Sequence, residues 1–102
     1  MTDATKVSVP TANTLSQAFK LSIQTGRPIE SYFYIDSCRG QVCICANDTA
    51  KIIYKNQDEH TSPIGNIYKV DNEYLIVTDN TIYIISSNTK VTKMPDNISF
   101  ND

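Results

Sequence analysis

The sequence predicts a mainly β domain of the α+β class, with one N-terminal helix and six antiparallel strands. The strands are expected as two three-stranded meanders, curled into a barrel or packed as a sandwich. Three observations predict this: an internal repeat, strand segments apolar on both faces, and one stretch with helical period and helical ends.

The repeat constrains architecture before any single residue does. Arg27-Pro28-Ile29 opens a run through Phe33, Ile35 and Asp36 to Thr49 and Ile52-Ile53. Ser62-Pro63-Ile64 opens a second run through Tyr68, Val70 and Asp71 to Thr81 and Ile84-Ile85. The runs align with one three-residue gap, at the loop 37–40. The chain therefore reads as an arm (1–12), a helix (13–25), a first β unit (28–56), a second β unit (62–87) and an extended tail (88–102). All 102 residues form one domain, since a chain of this length supports a single core.

The helix is marked at both ends. Thr14 and Gln17 have the spacing of a capping box. Leu15, Ala18, Phe19 and Ile23 recur at helical spacing, and Leu21 widens them, to define an apolar stripe expected to dock. Gly26 stands where a left-handed cap is wanted, and Pro28 prevents continuation.

After Pro28 the period changes to that of strands. Residues 31–36, rich in aromatics, read as the first strand. Strands follow at 41–46, 51–55, 66–70, 74–78 and 82–86, with 56–62 as a polar connector. Asn47-Asp48, Asp71-Asn72 and Asp79-Asn80 supply turns, because Asn and Asp tolerate left-handed backbone angles. Tyr74 and Ile76 oppose Leu75 and Val77, and Ile82 and Ile84 oppose Tyr83 and Ile85. A sheet apolar on both faces needs two covers. Met94, Ile98 and Phe100 are candidate anchors for the tail.

Charge and cysteine usage narrow the function classes. The formal net charge is −2 and no basic stripe is visible, which disfavours phosphate-driven nucleic-acid binding. No apolar stretch approaches the roughly 18 residues that span a bilayer, and residues 1–10 lack the apolar core of a signal peptide. The chain is thus expected in the cytosol, where an odd set of three cysteines stays reduced. Asn47-Asp48-Thr49 and Asn97-Ile98-Ser99 match a glycosylation pattern that has no meaning there.

Constellations that could carry chemistry are sparse. Cys38, Cys43, Cys45 and His60 could supply metal ligands, but their spacing resembles no zinc site. Cys43 and Cys45 share a strand face and read as small apolar fillers. His60, the only histidine, has no motif partner for acid–base work. Asp36 and Asp71 fall where turns want Asp, and three glycines make no phosphate loop. No catalytic residue, cofactor site or metal site is assigned. The six tyrosines are dense for so short a chain. Tyr32, Tyr34, Tyr54, Tyr68 and Tyr83 form the candidate interaction surface, because tyrosine is enriched at recognition surfaces and also stacks on unpaired bases.

The string TSPIGNIYKVDNEYLIVTDNTIYIIS (61–86), preceded by RPIESYFYIDS (27–37), resembles a group of short proteins encoded by giant nucleocytoplasmic DNA viruses of algae and protists. Those chains similarly carry an N-terminal helix, a KPI…DY element and a YTSPI…K…EY…T.NSIY element. The resemblance covers about three quarters of the chain. Here Phe33-Tyr34 replaces an aromatic Trp element, and His60 precedes Thr61. The resemblance implies no activity and no functional residues. It implies a viral protein located in host cytoplasm or in the virion. The expected function is that of a non-enzymatic viral accessory or virion structural protein, acting by contact with a protein partner or with its own copies and not with a membrane. The alternative is a single-stranded nucleic-acid-binding barrel that uses exposed tyrosines.

Overall fold

A computed structural model describes residues 9–95. Residues 1–8 and 96–102, which include the candidate anchors Ile98 and Phe100, lie outside the described residues. Helix α1 runs over Ala12–Thr25 and is followed by β1 (Ile29–Glu30) and a short α2 (Tyr34–Cys38). Strands β2 (Cys43–Ala46), β3 (Lys51–Asn56) and β4 (Glu59–His60) follow. Then come β5 (Ile64–Val70), β6 (Glu73–Thr78), β7 (Ile82–Ser86) and β8 (Val91–Lys93).

The strands make two four-stranded sheets, ordered β1-β7-β6-β5 and β4-β3-β2-β8. Each sheet contains one antiparallel meander, β5-β6-β7 or β2-β3-β4. Each meander also takes a fourth strand in parallel from beyond the other meander. β1 precedes the first meander but pairs with β7 of the second, Ile29 opposite Ile82. β8 follows the second meander but pairs with β2 of the first, Ile44 opposite Val91. This exchange ties the sheets together through the chain, and no ladder closes them into a barrel among the described residues. The arrangement is sandwich-like, with eight strands among the described residues in place of six and two parallel pairs in a sheet set expected to be wholly antiparallel.

Alternation along the central strands assigns three layers. Ile76 and Ile85 of the first sheet meet Ile44 and Ile53 of the second, and Phe33 and Val42 belong to the same cluster. Leu75 and Ile84, on the opposite face, pack against Ala18 of α1 and Tyr34 of α2. Cys45, Ile52 and Met94 form a third cluster on the far face of the second sheet. Each fully buried isoleucine contributes about 1.5–3 kcal/mol by leaving water. The two-faced strands thus have two covers, a second sheet and a pair of helices.

The first expected strand is not a strand. Ser31 and Tyr32 stand in a turn closed by the Tyr34 amide donating to the Ser31 carbonyl at 2.9 Å, and residues 34–38 are helical. Ser37 explains the change. Its hydroxyl donates to the Tyr34 carbonyl at 2.6 Å and accepts from the Ser86 amide at 2.9 Å. A side chain thereby makes the contact to β7 that a strand backbone would have made, and tertiary context overrides aromatic strand propensity. The connector 56–62 contains the short β4. In the tail, β8 forms and Met94 is buried, as an anchor would be.

Helix α1 begins earlier than the capping box at Thr14 predicts. Thr11 is the cap, its hydroxyl accepting from the Thr14 amide at 3.1 Å, so the arm is shorter than residues 1–12. Gly26 closes the helix at φ 72°, its amide donating to the Ser22 carbonyl. The Asp71-Asn72 turn joins β5 to β6, with Asp71 at φ 51°. Asp79-Asn80 joins β6 to β7, closed by the Thr78 amide on the Thr81 carbonyl.

Candidate functional site

Two surfaces stand out. The first is an aromatic seam where the end of β1 meets the β3–β4 hairpin. Tyr32 projects from the turn before α2, its ring edge-on to Phe33 with centroids 4.9 Å apart. Phe33 is buried and tilts against Tyr83 at 5.7 Å. Tyr54 and His60 are cross-strand partners on β3 and β4, and their rings stack at 6.4 Å.

A charge network holds this seam. The Tyr32 hydroxyl donates to Glu59 Oε2, and Asn56 Nδ2 donates to Glu59 Oε1 at 2.9 Å. Lys55 Nζ lies 3.0 Å from Asp36 and 3.8 Å from Glu59, and 5.9 Å from the centre of the Tyr32 ring. The Tyr32 hydroxyl, then Asn56 and Lys55, hold the Glu59 carboxyl below its ordinary range. The same bond to Glu59 pushes the Tyr32 phenol up. The Asp36 carboxylate raises the Lys55 ammonium, and burial raises the Tyr83 phenol.

The seam opens as two shallow grooves that meet at His60 and Tyr83. One, of about 360 Å³, is walled by Tyr32 and Tyr83 and carries Glu30, Asp58 and Glu59. The other, of about 270 Å³, is lined mostly by hydroxyl-bearing residues, including Thr61, Ser62 and Thr78. His60 therefore shares a groove with its sequence neighbours Asp58 and Glu59 and with Glu30, which the fold brings from β1. His60 Nδ1 pairs with its neighbour's carbonyl, Thr61, at 3.0 Å. Glu59 is held by Tyr32 and Asn56. The lining is acidic, which repels phosphate and suits a cationic or hydrogen-bonding group.

The structure gathers Tyr32, Tyr54 and Tyr83 here and separates the other two candidates. Tyr34 is buried between α2 and the first sheet, so it belongs to the core and not to the interaction surface. Its phenol is pushed up by burial, and further by the nearby Cys38 and Glu73 side chains. Tyr68 is exposed on the edge strand β5 and lines a groove of about 420 Å³ against α1, together with Lys20 and Lys69.

The second surface is the outward side of α1. Leu15, Phe19 and Ile23 are 46%, 62% and 70% exposed. Leu15, Phe19 and Ile23 of the expected stripe thus face solvent, while its member Ala18 docks as expected. The helix docks by its small side instead: Thr14 and Ala18 are buried, with Leu21 packed beside them. Ala18 lets the helix approach Leu75 and Ile84 closely. Thr14 Oγ1 donates to Glu73 Oε1 at 2.6 Å, and Ser22 Oγ to the Arg27 carbonyl at 2.6 Å. Leu15, Phe19 and Ile23 are functional candidates that the sequence reading consigned to the core. The signal was present, because Thr14 and Ala18 repeat at the same four-residue spacing on the adjoining side of the helix.

No helix among the described residues is long and apolar enough to cross a membrane, and no three or more of their His, Cys, Asp or Glu side chains are placed so that they could hold a metal ion. No family model, no curated protein and no solved structure matches the chain.

Proposed function

We propose that this protein is a non-enzymatic interaction module that docks a second copy of itself through the outward stripe of α1. The exposure of Leu15, Phe19 and Ile23 on one side of an otherwise well-docked helix carries this reading. A contiguous apolar patch of this kind marks an interface. The stripe carries no charge of its own. Two copies can therefore meet in a symmetric, self-complementary contact without opposing like charges. Side chains four residues apart form a ridge, and ridges of two such helices interleave. The resemblance to giant-virus proteins supplies the setting of this proposal, an accessory or virion component in the host cytoplasm or the particle.

The grouping of His60 with Glu30, Asp58 and Glu59 is the observation that favours an enzyme. Against it, the groove is open and Glu59 already serves Tyr32 and Asn56. The alternative of single-strand binding by Tyr32 and Tyr54 is weakened by the same acidic lining. Light scattering on the purified chain, alone and with a single-stranded oligonucleotide, tests the proposal. The expected result is a mass that rises with protein concentration and ignores the oligonucleotide. A strict monomer that binds the oligonucleotide and releases it at high salt would overturn it.

A further inference from the structure

The far face of the second sheet holds a thiol pair that the interface does not use. Cys43 and Cys45 lie on one side of β2 with their sulfurs 3.4 Å apart. The Thr92 hydroxyl of β8 stands 3.7 Å from one sulfur and 3.5 Å from the other. Cys43 is partly exposed, whereas Cys45 is buried against Ile52 and Met94. Two strand residues on one face stand about 6.4–6.8 Å apart at Cα. That lies at the upper end of the roughly 4.4–6.8 Å span that a disulfide bridges.

We propose that Cys43 and Cys45 form a reversible dithiol–disulfide site that reacts with hydroperoxides. The Cys43 thiolate attacks the peroxide, the O–O bond breaks, and hydroxide leaves and is protonated to water. Cys43 becomes a sulfenic acid. The Cys45 sulfur then attacks the Cys43 sulfur, the S–S bond forms, and the sulfenic oxygen departs with the Cys45 proton as a second water. Two thiols and one hydrogen peroxide thus become one disulfide and two waters. The division of roles follows exposure: Cys43 is open to the oxidant, and Cys45 resolves from the interior. Burial pushes the Cys45 thiol up, against the pull of Thr92, in keeping with its interior position. A bridge at the stretched end of the permitted range is readily reduced, so a small thiol reverses the step by exchange.

The test uses the folded full-length chain, hydrogen peroxide and mass spectrometry after alkylation. The site predicts a loss of two hydrogens confined to the peptide carrying Cys43 and Cys45, reversed by dithiothreitol, with exposed Cys38 still alkylated. Cys38→Ser keeps the reaction. Cys45→Ser stops at a Cys43 sulfenic acid that dimedone traps, and Cys43→Ser leaves Cys45 unreacted. Oxidation at Cys38 first, a disulfide between two chains, or both thiols remaining alkylatable in the native chain would each overturn the assignment.

Discussion

Thr14 and Glu73 meet in the interior: the Thr14 hydroxyl donates to Glu73 Oε1 at 2.6 Å, and both residues are at least 95% buried. Thr14 Oγ1 also lies 3.2 Å from the Val70 carbonyl, and the Thr11 amide reaches the same Glu73 oxygen at 3.4 Å. One buried carboxylate at the start of β6 thus fixes the first turn of α1. It also fixes which side of the helix faces the sheet, and so turns Leu15, Phe19 and Ile23 outward.

Thr14→Val keeps shape and removes the donor. A buried acceptor left short of its partner costs about 1–3 kcal/mol, so urea unfolding should show a loss of that order. Thr14→Ser should recover most of it. Equal stability of the valine variant would show that this bond does not anchor the helix.

Gly26 tests the other end of α1. At φ 72° with nothing within 4 Å of an added Cβ, Gly26→Ala meets backbone strain and no clash. A left-handed residue with a side chain costs about 1–2 kcal/mol. Gly26→Asn should cost less, because Asn tolerates this conformation. A thermal melt in which alanine is the better tolerated of the two would contradict the capping role.

Gly26 and the turns at Asp71-Asn72 and Asp79-Asn80 were legible because their chemistry is local: a backbone angle needs a particular residue type. The need for two covers was legible in Leu75, Ile76, Ile84 and Ile85 for a related reason, since alternation shows both faces. The helical start at Tyr34 was not, because it depends on Ser37 reaching Ser86, 49 residues away. The edge strands β1, β4 and β8 are two or three residues long, too short for periodicity to register. The direction of α1 escaped for an energetic reason. Hydrophobic period identifies an apolar side, but the buried Thr14–Glu73 bond and the small Ala18 decide which side docks.

Tyr34 gives a pH signature. Burial raises its phenol above the ordinary 10.0, so the folded chain holds that proton more tightly than the unfolded chain does. Its stabilising share is complete below pH 10.0 and is lost as pH rises from there through the folded value. Chemical unfolding of wild type should therefore weaken with alkali more steeply than that of Tyr34→Phe. Parallel curves above pH 10.0 would contradict the assignment.

The Tyr32 hydroxyl is the largest influence on Glu59, and it holds that carboxyl below 4.5. A depressed carboxyl stabilises the fold above its unfolded value and loses that share as pH falls through the folded one. Carbon-detected NMR titration should find the Glu59 midpoint higher in Tyr32→Phe than in wild type. An unmoved midpoint would mean that Asn56 and Lys55 alone set it.

The outward stripe is tested most directly by sedimentation equilibrium across a concentration series, comparing wild type with Phe19→Glu and with Tyr68→Glu as an exposed control off the stripe. Phe19 is 62% exposed, so the charge leaves the fold intact and opposes its own copy only where two stripes meet. The wild-type chain and Tyr68→Glu should approach twice the chain mass as concentration rises, while Phe19→Glu stays a folded monomer. A wild-type chain that remains monomeric throughout, or a Phe19→Glu chain that associates as wild type does, would contradict self-association through α1.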